Sequence, residues 1–295
     1  MPVLTLIADP AASALDAALA ERVRAAAAEA GAEVDPPVWL AEGIACDLPL
    51  AAPDPAAVTA AARSALGAAP VDLAVLPAAG RAKALLLADM DSTIVTSETL
   101  DDLADALGLK ARVAAITARA MNGELDFAEA LRARVALLDG LPESALDDVA
   151  AGITLTPGAV ALVQRMKAAG AETVLVSGGF TRIAEPVAAR CGFDRIVANR
   201  LDLADGRLTG RVVEPILGKE AKLAALHAAA EARGLAPSAA CAVGDGANDL
   251  PMLQAAGLGV AFRAKPAVRA AAPARIDHGD LTALIYLQGY SDTAV

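Results

Sequence analysis

The chain carries a series of short apolar runs, each ending in a polar or glycine-rich turn. Residues 84–88, Ala-Leu-Leu-Leu-Ala, hold no charge and lead directly into Asp89-Met90-Asp91-Ser92-Thr93. A short, bounded, uncharged run predicts a strand covered on both faces, the kind found in parallel sheets. Residues 173–176, 195–198, 239–243 and 258–261 repeat the pattern, with helical segments between most of them. That alternation predicts an α/β fold with a doubly wound, Rossmann-like parallel sheet.

Two stretches break the rhythm. Between Asp91 and Thr154 no run reads as a strand. Leu100, Leu103 and Leu107 share one helical face, which Gly108 closes. A second helix is expected at about 126–138 and a third from 142 to 151. Together they predict a helical cap, about residues 97–153, over the carboxyl end of the sheet. Farther on, Asp205-Gly206 lies between alternating segments and predicts a β-hairpin within 201–215.

Residues 1–83 follow a different pattern. A strand is expected at 3–8, a helix at 13–30 closed by Gly31, a second helix at 56–66 and a strand at 71–76. The stretch 35–55 holds five prolines and reads as loop or edge strand. Residues 77–83 read as a linker. The expected organisation is a small N-terminal α+β domain over 1–83 and a catalytic domain over 84–295.

Composition sharpens this. Hydrophobic residues make up 56% of the 295, but aromatics only 2%, so the core must be aliphatic. Net charge is −11 with no basic block, which argues against nucleic acid as a partner. A phosphorylated substrate must then be drawn in by local positive charge. Cys46, Cys191 and Cys241 fit neither a disulfide framework nor a zinc spacing. No apolar run is long enough for a membrane span, and no secretory leader pattern opens the chain. A cytoplasmic location is the expectation.

The candidate chemistry sits at the strand ends. Asp89 and Asp91, two residues apart on an extended chain, point the same way at the edge where open α/β sheets bind ligands. Two acids there repel unless a cation or unequal protonation relieves them. Ser177-Gly178-Gly179 follows another strand and suits an oxyanion cradle. Gly244-Asp245-Gly246-Ala247-Asn248-Asp249 follows a third; Asp245 with Asp89 and Asp91 would suit Mg²⁺, and Asp249 would buttress that shell. Lys219 and Lys222 open an apolar helix, and spacing alone does not choose between them. An ammonium about 4 Å from an anion gains roughly 4 kcal/mol at an effective dielectric of about 20. In the cap, Phe127, Leu131, Arg134 and Leu138 form one helical stripe, so Arg134 interrupts an apolar row. Its guanidinium suits a carboxylate, and Glu98 suits an ammonium, a pairing that fits a zwitterion such as an amino acid.

In this order the four clusters resemble the haloacid dehalogenase superfamily of phosphotransferases, whose first motif is DxDx[TV]. The likeness is closer to its phosphoserine phosphatase branch, on the motifs around Asp89, Glu98, Leu125-Asp126-Phe127, Arg134, Ser177 to Phe180 and Gly244 to Asp249, and covers about residues 84–290. The resemblance implies serine biosynthesis, with Asp89 as nucleophile and Asp91 as acid/base. It implies Mg²⁺ held by Asp89, Asp245 and the Asp91 backbone carbonyl, with Lys219 against the phosphate. It implies a phosphoryl group on Ser177 and Gly178, and phosphoserine touching Glu98, Met121, Phe127, Arg134 and Asn248. A homodimer is among the assemblies it allows. The N-terminal segment is expected to be a degenerate ACT-like unit. Two other activities fit the same residues: turnover of another small phosphomonoester, and non-catalytic amino-acid sensing.

Overall fold

A computed structural model of the chain describes residues 1–51, 54–121 and 124–292; the side chains of Ala120, Met121 and Lys219 lie outside the described set. Seven strands form the larger sheet. Their spatial order is Ala274–Ile276, Leu258–Phe262, Ala240–Gly244, Leu85–Asp89, Glu172–Phe180, Arg195–Ala204, Arg207–Val213. All neighbours are parallel except the last pair, the hairpin expected around Asp205-Gly206. Both turn residues have positive φ (50° and 72°), the geometry that suits Asp-Gly.

Leu85–Asp89 is central and fully buried, which explains its lack of any charge before Asp89. Its side chains alternate between two aliphatic clusters. Leu86 and Ala88 join one that includes Leu162, Val163 and Ile183; Leu85 and Leu87 join another with Leu226, Ala229 and Met252. Helices thus cover both faces of the sheet, as continuous apolar strands require. The strand Glu172–Phe180 is longer than its apolar run, carrying extended backbone through Ser177-Gly178-Gly179, with a register irregularity between Val176 and Phe180.

Among the described residues, the segment between Asp91 and Thr154 holds four α-helices, Thr99–Ala106, Lys110–Met121, Phe127–Val135 and Ser144–Gly152, with a short 3₁₀ turn at Ala136–Leu138. Lys110–Met121 was not expected from the sequence, because its alanines and arginines blur any apolar stripe. Asp126 and Glu129 form a reciprocal capping box that fixes the start of Phe127–Val135. The chain enters and leaves this helical layer through a narrow neck, where Val95 bridges Leu155, Thr96 N–H donates to Thr154 O and Thr156 N–H donates to Ile94 O.

Residues 2–77 build a separate antiparallel sheet. The first helix is Ala17–Glu29, shorter than the expected 13–30, because Asp16 caps it by accepting from Leu19 N–H at 2.7 Å. Within the proline-rich stretch, Val38–Ala41 pairs on one side, as an edge strand does, but Ala45–Ala51 corrects the expectation of loop or edge: it lies inside the sheet, paired with Pro2–Ala8 on one side and with Glu33–Val34 and Val38–Ala41 on the other. Pro49 is tolerated because its carbonyl does the work there, accepting from Asp35 N–H.

This sheet docks on the larger one. Ile7, Ala45 and Ala74 belong to the same apolar cluster as Leu281, Leu284 and Leu287. Arg81 donates to Asp47 and to the Tyr286 and Leu287 carbonyls. The edge strand Val71–Pro77 packs beside the outer strand Ala274–Ile276. Among the described residues no helix is long and apolar enough to cross a membrane.

Candidate active site

The carboxyl edge of the larger sheet gathers the acids. Immediately after Asp89 the chain turns sharply: Asp91 has ψ 137° and Ser92 sits in the left-handed region at φ 52°. Non-glycine residues rarely adopt that conformation, and it concentrates at functional turns. Asp89 is buried, and its Oδ1 accepts from Met90 N–H at 2.8 Å and from Lys222 Nζ at 2.6 Å. Asp91 is held from two sides: Oδ1 accepts from Thr99 N–H (2.8 Å) and Oδ2 from Ser177 Oγ (3.1 Å). The Ser177 hydroxyl in turn accepts from Gly179 N–H at 2.8 Å. A Cβ on Gly179 would stand 3.1 Å from that oxygen and 3.4 Å from Asp91 Oδ2, so the site leaves little room there for a side chain.

Of the two lysines that the sequence offers, Lys222 is the one whose side chain is described, and it lies among the acids. It lies in the helix Lys219–Ala232, four residues before the fully buried Leu226, and shares its face. Its ammonium is 2.6 Å from both Asp89 Oδ1 and Asp249 Oδ1, and only 3% of the residue is exposed. The other Asp249 oxygen accepts from Gly246 N–H at 2.9 Å. Gly244 is required by this arrangement, because a methyl group there would overlap the Asp249 carboxyl. The side chain of Lys219, like that of Met121, falls outside the described residues.

The charges do not balance. Burial opposes the Lys222 charge, but the two carboxylates outweigh it and hold its pKa above the ordinary lysine value. The one buried ammonium cannot neutralise Asp89, Asp245 and Asp249 together, although Lys265 at the cavity wall also acts on Asp245. Burial raises the Asp89 pKa despite Lys222, and Asp249 adds to the rise. Burial also pushes Asp245 up to about 6, again with Asp249 contributing. Asp245 is buried, yet its carboxyl accepts no hydrogen bond among the described residues. Ligand oxygens of Asp89, Asp245 and Asp249 lie within 4.8 Å of one another. An under-neutralised, oxygen-only cluster of this kind fits a hard divalent cation. Both Asp249 oxygens are already engaged, which suits a residue that supports the binding oxygens from behind. The Asp91 side chain is turned toward Ser177 and Thr99, outside that cluster.

A cavity of about 170 Å³ opens onto these groups. Asp89, Asp91, Gly178, Asp245 and Asn248 line its floor; Glu98, Phe127 and Arg134 come from the helical layer above. Glu98 accepts from Ser92 Oγ at 2.8 Å, which ties the start of that layer to the turn after Asp89. Among the described residues the Arg134 side chain makes one hydrogen bond, from Nε to Ala130 O at 3.2 Å. Burial lowers its pKa, with Asp101 and Glu98 opposing. Phe127 is 41% exposed, and a Cβ on Gly178 would meet its ring at 3.5 Å, so the ring rests over the glycine turn. Leu100 and Leu131, which the sequence places on apolar helix faces, also line the cavity, as does Lys265, which no sequence feature marked. Lys265 follows a buried strand in an unremarkable Ala-Lys-Pro stretch, with no motif to flag it.

A sheet edge of this topology, with an acid-bearing turn after its central strand and a helical layer inserted there, defines a class. A family model described as haloacid dehalogenase-like hydrolase matches residues 86–254, and the chain belongs to that family. It is 47% identical over 211 residues to a phosphoserine phosphatase of Mycobacterium tuberculosis, covering 72% of this chain and 52% of that protein. The chain therefore spans about half the length of that relative. A shorter phosphoserine phosphatase, from Lactococcus lactis, is 45% identical over 204 residues, covering 69% of this chain and 94% of that one. A solved phospho-aspartyl intermediate analogue of phosphoserine phosphatase superposes with a TM-score of 0.64 at 39% identity, over 69% of this chain and 98% of the other.

Proposed function

We propose that the chain hydrolyses O-phospho-L-serine to L-serine and phosphate, a step of serine biosynthesis, through an aspartyl phosphate on Asp89. The observation that carries this is the meeting in one cavity of Asp89, Asp91 and Asp245 with Glu98 and Arg134. The named relatives, phosphoserine phosphatases at 45–47% identity, support it.

Asp89 attacks phosphorus, so a bond forms from its carboxylate oxygen and the bond to the serine oxygen breaks. Asp91, steered by Thr99 N–H and Ser177, gives its proton to the leaving oxygen. In the second step Asp91, now a carboxylate, takes a proton from water. That water attacks phosphorus and releases Asp89 with inorganic phosphate. Lys222 holds Asp89 in the orientation for attack and offsets charge beside the phosphoryl group. Gly178, with Ser177 behind it, offers backbone donors at the cradle. Arg134 grips the substrate carboxylate and Glu98 its ammonium, while Phe127, Asn248 and, by family likeness, Met121 complete the enclosure. Asp89, Asp245 and the Asp91 backbone carbonyl would hold Mg²⁺, with Asp249 supporting them; the ion supplies positive charge to the phosphoryl oxygens.

A substrate panel tests this: phosphoserine, phosphothreonine and glycerol phosphate, with Mg²⁺ and with chelator. Phosphate release is expected to be fastest from phosphoserine and to stop with chelator. Equal rates on all three would overturn the substrate assignment. Serine binding without any turnover would turn the reading toward a sensor.

A further inference from the structure

A second cavity, also about 170 Å³, lies where the N-terminal sheet meets the larger one. Both units build its wall. Arg63 comes from the last turn of the helix Pro55–Leu66 and Asp72 from the edge strand Val71–Pro77; Arg275, Asp277 and His278 come from the far end of the larger sheet. The charges here are uneven. Asp72 is buried, and its two oxygens accept backbone N–H groups of Asp277, His278 and Gly279 at 2.7–3.0 Å, so its charge is satisfied internally. Asp277 is shared between Arg275 (3.2 Å) and Arg269 (3.5 Å). The Arg63 side chain makes no hydrogen bond or ion pair among the described residues. Burial lowers its pKa and the neighbouring Arg275 lowers it further, while Asp277 and Asp72 offset part of that fall.

Buried polar atoms without partners are rare in native structures. Among the described residues three side-chain atoms are in that state, and two of them, Arg269 Nε and Asp277 Oδ1, belong to the ion pair behind this wall. Two guanidinium groups face one small polar cavity, and its two carboxylates are already engaged, Asp72 by backbone N–H groups and Asp277 by Arg275 and Arg269. We propose that this junction cavity binds a small oxyanion, a phosphate or carboxylate group gripped between Arg63 and Arg275. Planar forked donors suit such a group, and one ligand held by both arginines bridges the two units. Binding to the folded form then raises stability by mass action.

The test uses the full chain with chelator present, because the cation-free acid cluster repels phosphate from the catalytic cavity. Inorganic phosphate is titrated by calorimetry and by thermal melting, with acetate as a second arm. One saturable phosphate site per chain is expected, with a rising melting midpoint. Arg63→Gln is expected to weaken the affinity at least tenfold while shifting the unliganded midpoint little, since the Arg63 side chain makes no hydrogen bond or ion pair among the described residues. Arg63→Lys, which keeps the charge and loses the fork, is expected to fall between. Phosphate binding without acetate binding assigns the site to phosphate; binding of both assigns it to oxyanions generally. No saturable binding of either anion, or binding that Arg63→Gln leaves unchanged, overturns the proposal.

Discussion

At the sheet edge, Asp89, Lys222 and Asp249 are all buried and locked to one another at 2.6 Å. Across the same cavity, Glu98 and Phe127 are exposed, and among the described residues Arg134 is held by a single side-chain hydrogen bond, to its own helix. Under the proposed function the two walls serve different tasks. A nucleophile must meet phosphorus in one geometry, and over-determined contacts fix that geometry in advance. Substrate recognition needs only charges placed at the right ends of a small molecule, on a layer joined to the core by the neck at Val95 and Leu155. Mutations in the first wall should therefore remove chemistry, and mutations in the second should change which molecule is processed.

The largest expected effect is at Asp89. Asp89→Asn should lower kcat by about 10⁴-fold or more with the fold retained, read by turnover and circular dichroism. Near-normal turnover would falsify the nucleophile assignment. Next is Lys222→Ala, which leaves two buried carboxylates unpaired. It should lower kcat by about 10²–10³-fold and stability by roughly 3–5 kcal/mol, measured by kinetics and denaturant melts. Lys219→Ala should do much less; the reverse ranking would return the role to Lys219.

Arg134→Ala probes the other wall. KM for phosphoserine should rise about tenfold or more while slow hydrolysis of glycerol phosphate is unchanged, because only the first substrate carries a carboxylate. If both substrates suffer alike, the two walls do not divide the work. The smallest effect concerns pH. Without a cation, burial pushes Asp245 up to about 6 from 3.8, and Asp89 moves the same way. The folded state then holds protons that the unfolded chain releases near pH 4. The stability from those protons is complete below about pH 4 and is lost as pH rises through about 6. Added Mg²⁺ should therefore raise the melting midpoint little at pH 5 and more at pH 7.5. An equal shift at both would contradict the charge accounting of the acid cluster.

Much of the first wall was legible in the sequence, because a buried parallel strand excludes charge until it ends and so marks where Asp89 and Asp245 emerge. The Asp205-Gly206 hairpin was legible for a similar reason, since few other residues accept its two positive φ angles. Lys222 was harder. Lys219 and Lys222 lie on one helix within a turn of each other, and which of them reaches the acids depends on how deeply that helix meets the sheet, which spacing does not encode. The strand Ala45–Ala51 was masked by its proline, whose missing donor matters only when the neighbouring ladder needs it. Lys265 gave no local signal, since it reaches the cavity through tertiary folding alone.

The docking of Val71–Pro77 beside Ala274–Ile276 has a consequence for handling the protein. Each strand closes one border of its own sheet, and an uncovered border is a template for pairing with other molecules. A truncation that removes residues 1–77 would bare that border together with the aliphatic surface around Leu284 and Leu287, and should aggregate unless the new surface is recoated with charge.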